Sequence, residues 1–549
     1  MSVSGTTCPE SELSSRAGGV IPSEARDLLF FDAMKPTIRA LGLAALASST
    51  LPAQSLRSRI DEYRVRHDVE IVRELSDFLA IRNLASDSVN IRRNAQHIVE
   101  MLAKRGIQGR LLESPAGGPP VVFGELRSPG ATRTVVLYAH YDGQPVDTTQ
   151  WITPPWSPVL RDKLHGQGGR IIEIPATPGT VQGEWRLYGR SAGDDKAPII
   201  AMLRALDAMR GAGITPSVNL KFFFEGEEEA GSPHLRPLLE KYADLLRADA
   251  WLFGDGPVHQ SRRQQVVYGV RGVAGLDIVV YGPSRGLHSG HYGNWAYNPI
   301  TLLANFIASV RDDDGRILIP SFYDDVTPIT AAERRALASV PAVDSALRVE
   351  LAVGGTEANG AMLAERIMEP ALNLRGFRGG GVGAGGSNTI STEARASIDF
   401  RLVPKQTPER IRALFEAHAK RKGYFVINDR EPTPAERIAH AKVMRLDWES
   451  GYPATRAAMD APASRAVLQS VEAALGSPVI AMPTLGGSLP MFMFEQVLKT
   501  PLIVLPTVNH DNSQHAANEN LRLQNLWDGM VVYAGIMADL GRRWAAIVP

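Results

Sequence analysis

The chain has 549 residues, 44% of them hydrophobic and 21% charged, with Lys+Arg and Asp+Glu both at 59. That length exceeds what one hydrophobic core supports, so two domains or more are expected; the balanced charge gives no electrostatic reason to expect nucleic acid or an anionic membrane surface as a partner. The single cysteine, Cys8, excludes an internal disulfide and a thiolate metal site, so any metal must be held by His, Asp and Glu.

Residues 1–33 show no periodic apolar face. Met34-Lys35-Pro36-Thr37-Ile38-Arg39 then leads into an apolar run from Ala40 to Leu46 and on to small residues, the order of a secretory signal, with cleavage points after Ala47 or Ala53. On this reading Met34 is the true start, 1–33 is a non-native or disordered leader, 34–53 is a signal peptide, and the mature protein is periplasmic or secreted. The alternative is a cytoplasmic tail with a chance apolar patch. The run is too short to span a bilayer.

From Leu56 to about Arg110 the apolar spacing is helical, with Ile71, Leu75, Phe78 and Leu79 at intervals of three and four. Pro120–Phe123 is β-rich, and Thr134–Ala139 reads as a buried strand. Val218–Phe224, Trp251–Phe253 and Leu502–Leu505 resemble it. Lys196–Met209 is a helix with Ile199, Met202, Leu203, Leu206 and Met209 on one face. Buried strands alternating with helices predict a mostly parallel α/β sheet. Between about Val267 and Trp448 the texture changes. Strands at Leu276–Val280, Ala394–Leu402 and Tyr424–Ile427 flank helices at Pro299–Val310 and Pro408–Ala419, which suits a small α+β domain with room for a further strand. The α/β texture resumes near Ala461. The predicted organisation is therefore a first catalytic segment at 56–266, an inserted α+β lid at 267–448, and a second catalytic segment at 449–549.

Each α/β strand ends in, or leads to, a side chain that can bind metal. The first gives His140-Tyr141-Asp142, the second Glu225-Gly226-Glu227-Glu228-Glu229, the third Asp255, and the last leads through Pro506 and Asn509 to His515. Gly193-Asp194-Asp195-Lys196 opens the helix between the first two. In an open parallel sheet the carboxyl ends of the strands meet at one crevice, so these residues can share a site. Two histidines with several carboxylates form a ligand set suited to Zn²⁺, with Mn²⁺ as the alternative. Taken singly, each feature has a plainer reading: His-x-Asp as a surface pair, three glutamates as a solvated helix face, Asp194-Asp195 as a helix cap. Repeated placement after apolar strands is what favours a metal site. The glycines at 379–386 lack the Lys and Ser/Thr of a phosphate loop and read as a mobile lid loop. Trp151–Trp156 reads as a packed loop placed to wall a pocket, and His97, His165 and His440 read as structural or exposed; His291 and His510 are open.

Ala139-His140-Tyr141-Asp142, Tyr188–Lys196 (YGRSAGDDK), Glu225–Ser232 (EGEEEAGS) and His515–Glu519 (HAANE), with Leu287-His288-Ser289-Gly290 between them, resemble the M20 family of metallopeptidases, and most of all its carnosinase-like dipeptidase branch. The resemblance runs in order from about residue 60 to 540. It implies a zinc-exopeptidase-like catalytic domain with a mixed, mostly parallel sheet, interrupted by a ferredoxin-like lid and dimerisation domain. It also implies two divalent ions per subunit. Asp194 would bridge them, His140 and Asp255 would complete one, and Glu229 and His515 the other. Glu228 would be the general acid/base, and Asp142 would orient His140. His288 would stabilise the tetrahedral intermediate from a partner subunit's lid. Arg401 would bind a substrate carboxylate, and Gly486-Gly487-Ser488 would line the substrate pocket. Ala197, Gly293-Asn294 and Asp511–Gln514 depart from the family's common pattern without removing a ligand.

The implied activity is hydrolysis of amide bonds in dipeptides or small peptides by a homodimer. The alternatives are an N-acyl amino acid amidase of the same family and an inactive peptide-binding member. The intact ligand set and Glu228 argue against the last of these.

Overall fold

Thr134–His140 buries every side chain except its first, a run without polar alternation that only the centre of a sheet covered on both faces can accommodate. The computed structural model describes residues 55–548 and places this strand fourth in an eight-stranded sheet. The order is Arg110–Leu112, Val121–Leu126, Asn219–Glu225, Thr134–His140, Ala250–Phe253, Leu502–Val504, Gln265–Val267, Ile480–Met482. The four strands at the centre run parallel. Antiparallel pairs join the first three strands, and Val504 pairs antiparallel with Val267. The sheet is thus mixed with a parallel centre, and the central strands end side by side: His140 stands opposite Glu225, and Phe253 opposite Val504. The leader, the export segment and Cys8 read from the sequence lie outside the described residues.

The helical stretch expected from Leu56 to Arg110 is two helices, Leu56–Leu79 and Ser88–Lys104. Asp87 caps the second by accepting from the Asn90 N–H, and between the two Asn83 turns inward to donate to the Tyr141 carbonyl and to Ser191 Oγ. Lys196–Gly211 buries all five of the apolar residues expected on its inner face. Against it packs Leu523–Ile547, buried over most of its length, with Pro462–Leu475 alongside. These helices and one face of the sheet form a single core.

A second sheet has five strands in the order Ala371–Arg378, Glu393–Leu402, Gly272–Tyr281, Val443–Trp448, Phe425–Asn428. The first four are antiparallel. With Pro299–Val310 and Pro408–Arg421 as crossovers they make the ferredoxin-like βαββαβ arrangement, to which Phe425–Asn428 adds a parallel edge. All its strands come from 272–448, between the two stretches that build the first sheet, and it has its own core. Ala371–Arg378 carries no alternating pattern in the sequence because Asn373–Arg378 are exposed on both faces. Among the described residues no helix is long and apolar enough to cross a membrane.

Candidate metal centre

The carboxyl ends of the parallel strands supply the site. His140 closes its strand, fully buried, and Asp142 follows two residues on. Glu225 ends the neighbouring strand. The chain then makes a short 3₁₀ turn, Glu228–Ala230, whose first two N–H groups donate to the Asp142 carboxylate at 3.1 and 3.0 Å. Asp142 therefore fixes this turn while its other contact, at 3.3 Å, is His140 Nδ1. Asp255 leaves the strand Ala250–Phe253, and His515 lies in the loop after Leu502–Val504.

Asp194 joins two clusters. His140 Nε2 is 2.9 Å from Asp194 Oδ1 and 3.6 Å from Asp255 Oδ2. His515 Nε2 is 3.2 Å from Asp194 Oδ2 and 3.3 Å from Glu229 Oε2. Each trio can offer its ligand atoms within 4.8 Å of one another, and each uses a different oxygen of Asp194. A carboxylate shared in this way is what two cations a few ångströms apart require. Glu228 belongs to neither trio, yet its Oε2 lies 4.0 Å from His140 Nε2.

The electrostatics fit cations as well. Burial, then the Asp194 charge, pushes Glu229 up to about 8 and Asp255 up to about 6. Burial foremost, with Asp255 and Glu229 adding to it, holds Glu228 well above the usual carboxylate range. Burial would also raise Asp194, but its contacts with His140 and His515 hold it low. Contact with Asp194 raises His515 to about 9. Four crowded carboxylates against two imidazoles leave an excess of negative charge that two divalent ions would offset, and the oxygen and imidazole donors suit Zn²⁺ or Mn²⁺.

Two plainer readings fail in the structure. Asp195 precedes the helix Lys196–Gly211 but makes no side-chain cap; its Oδ2 accepts from the His140 N–H at 3.1 Å. The three glutamates are not a solvated face: Glu227 is buried with His234 at 2.8 Å, and Glu228 and Glu229 face the clusters. Within Trp151–Trp156 Pro155 is buried and both tryptophans pack, with Trp156 Nε1 donating to Asn83 and the Arg190 guanidinium 5.1 Å from the Trp151 ring, while Ile152 and Pro154 are exposed.

The remaining predicted residues divide. Arg401 Nε donates to Asp399 at 2.9 Å, and one terminal nitrogen donates to Ser488 Oγ at 2.9 Å, so the lid strand meets the Gly486-Gly487-Ser488 loop directly. His288 is not brought into the cluster of its own chain. It sits exposed on the short strand Leu287–His288, its Nδ1 accepts from the Gly290 N–H, and its ring lies 4.6 Å from that of His291; among the described residues no carboxylate is within ion-pair distance of it.

Several supporting residues carry no signal of their own in the sequence. Glu519, inside the HAANE segment, accepts from the N–H groups of Ser191, Gly193 and Asp194 at 2.8–2.9 Å and pairs with buried Arg190. Gln144 Nε2 donates to Glu229 Oε2 at 2.7 Å. Arg271 Nε donates to the Gly486 carbonyl, and burial, then Arg401, lowers its guanidinium to about 10. Tyr452 stacks on Phe492 at 5.0 Å; burial and then the Glu228 charge push its phenol up. A lone Gln, Arg or Tyr is unremarkable in a linear chain, and only the fold assigns these their neighbours.

A profile of peptidase family M20/M25/M40 matches residues 172–539, more than half of the chain. The chain belongs to this family. The M20 resemblance of the motifs is thereby borne out, although the matched span begins after His140 and Asp142. Among relatives of this M20 chain, Cys-Gly metallodipeptidase dug1 of Schizosaccharomyces pombe is 28% identical over 437 residues, covering 77% of this chain and 83% of that protein. Beta-Ala-His dipeptidase of Homo sapiens is 26% identical over 520 residues, covering 90% and 95%. Of solved structures, the M20 family metallo-carboxypeptidase Sso-CP2 from Sulfolobus solfataricus superposes with a TM-score of 0.69 at 26% identity, over 86% of this chain and 99% of that one. Human carnosine dipeptidase 1 shares the fold at the same TM-score and 23% identity, over 89% and 100%.

Proposed function

We propose that this M20 chain is a two-metal dipeptidase, with Zn²⁺ as its metal and Mn²⁺ as the alternative. The observation that carries the reading is Asp194, whose two oxygens face two separate His–carboxylate pairs while Glu228 stands beside them outside both. The relatives named for Cys-Gly and β-Ala-His dipeptides point to the same substrate class.

Bound there, the two ions supply Lewis-acid polarisation of the scissile carbonyl and a water of lowered pKa. The chain's own residues do the rest. Glu228 takes the proton of the attacking water and returns it to the leaving amine; its buried, carboxylate-rich surroundings raise its proton affinity well above that of an ordinary carboxylate. Asp142 holds the turn that presents Glu228 and Glu229. Arg401 and Ser488, already in contact, bind the substrate's free carboxylate, so the distance from them to the clusters selects short peptides.

His288 acts on a neighbouring subunit in this scheme. The lid strand Ala371–Arg378 supports that assembly: it is a sheet edge, exposed from Asn373 onward, with Leu374 and Phe377 open to solvent, and such an edge pairs readily with a second copy.

The deciding experiment incubates metal-loaded protein with a panel of dipeptides, their C-terminal amides and N-acyl amino acids, following products by mass. Preferential release of free amino acids from dipeptides supports the proposal. Preferential deacylation of N-acyl amino acids would replace it with an amidase, and no turnover on the whole panel would leave a binding protein.

A further inference from the structure

We propose that a cavity of about 170 Å³ beside the metal centre receives one apolar side chain of the dipeptide and sets which dipeptides are cleaved well. This rests on the dipeptidase reading above. Three segments wall the cavity. Pro257 and Val258 come from the loop just past Asp255, Thr484–Gly486 from the loop just before Ser488, and Ala364 and Ile367 from the lid.

These walls adjoin the chemistry at both ends. Gly256, next to the ligand Asp255, has φ +87°, and a Cβ there would meet Leu485 Cδ2 at 3.3 Å, so Leu485 lies against the metal loop. At the other end Arg271 holds the loop by donating from its N–H to the Gly487 carbonyl and from Nε to the Gly486 carbonyl, and Ser488 contacts Arg401. One short loop, 484–488, thus has the cavity against its first half and the carboxylate-binding pair at its end. In this proposal a dipeptide stretched between the clusters and Arg401 turns one side chain into the cavity.

The lining says what enters. Val258, Val340, Met362, Ile367, Met482 and Leu485 give it mostly apolar walls, and of its polar groups His259 Nδ1 is held by Ser261, Gln265 Nε2 by the Pro257 carbonyl and Asp344 Oδ1 by the Leu363 N–H. Mostly apolar walls favour an apolar guest. The volume is below the roughly 300 Å³ at which pockets begin to hold whole drug-sized ligands, and a dry cavity of about 150 Å³ takes a benzene-sized guest. One leucine or phenylalanine side chain fits.

The test uses the full-length metal-loaded enzyme with Gly-Gly, Leu-Gly, Gly-Leu and the two phenylalanine counterparts. One of the leucine peptides should exceed Gly-Gly in kcat/KM by about tenfold or more, the discrimination an apolar pocket provides, and which one it is identifies the residue that enters. Ala364→Leu fills the cavity and should reduce that ratio by about tenfold. Ile367→Ala enlarges it and should raise the phenylalanine-to-leucine ratio, and this variant decides the matter if Ala364→Leu does not fold. No preference over Gly-Gly in the parent, or ratios unmoved in the folded variants, would overturn the proposed side-chain site. Hydrolysis of none of the dipeptides would overturn the dipeptidase reading instead.

Discussion

Glu519→Gln isolates how Asp194, the carboxylate common to both trios, is held. The Glu519 carboxylate is fully buried; one oxygen accepts from the Gly193 and Asp194 N–H groups, the other from Ser191 N–H and Arg190, whose side chain is 2% exposed. A glutamine keeps the shape but turns one acceptor into a donor. Either the Gly193/Asp194 pair or the Ser191/Arg190 pair then faces an NH₂ group, and the Arg190 charge loses its counter-ion in the interior. Removing one partner of a buried ion pair costs about 3–5 kcal/mol, within the range expected for two buried donors left unmet at about 1–3 kcal/mol each. Tm shifts by the lost free energy divided by the unfolding entropy, which for a chain of 549 residues amounts to about 1 °C per kcal/mol, so a drop of about 3–5 °C is expected here. The melt should be run in chelator, so that metal loss does not contribute. Calorimetric titration with Zn²⁺ is the second readout, and affinity should fall about 10–100-fold, as for other groups that orient a ligand. A Tm within about 1 °C of the parent would refute the energetic reasoning. A lowered Tm with unchanged Zn²⁺ affinity would refute the claim that Glu519 positions Asp194.

Glu228→Gln should lower kcat by about 10²–10⁴-fold while two metals per chain remain by elemental analysis, whereas Glu229→Gln should lose metal; the reverse pattern would exchange their roles. Arg401→Lys should impair dipeptides at least about tenfold more than their C-terminal amides, because lysine cannot reproduce the guanidinium's paired donors; equal losses would leave Arg401 as a partner of Asp399 alone. Mixing inactive Glu228→Ala and His288→Ala chains should restore part of the activity through mixed dimers, and verified subunit exchange without recovery would exclude a shared site. Burial, then Lys422 and Arg421, lowers His418 in the lid to about 4. The unfolded chain protonates this imidazole as pH falls through about 6.5 while the folded chain does not until about 4, so the unfolded state binds more protons and stability drops with falling pH across that window. His418→Gln should flatten the Tm-versus-pH curve between pH 6.5 and 4, and parallel curves for parent and variant would count against it.

How much of this was legible in the linear chain follows from which interactions are local. The central strands and the helix Lys196–Gly211 were readable because burial on both faces, or on one stripe, leaves a continuous or periodic apolar record. The residues of the two candidate metal-binding trios were readable in part because a parallel sheet brings strand ends together whatever their separation in sequence, and in part through the motif resemblance. The break between the first two helices was harder to see, since it depends on Asn83 reaching Tyr141 and Ser191 far along the chain. The exposed edge strand Ala371–Arg378 escaped because nothing alternates along it. Glu519, Gln144 and Arg271 acquired roles only through partners up to 329 positions away, and the cavity between the Asp255 loop, the 484–488 loop and the lid exists only where distant segments meet. Composition and periodicity record which side of an element is buried and which ligands lie at its end; which buried polar group holds which loop, and what empty space remains between loops, are pairings between distant segments that leave no periodic trace, and those the tertiary structure alone decided.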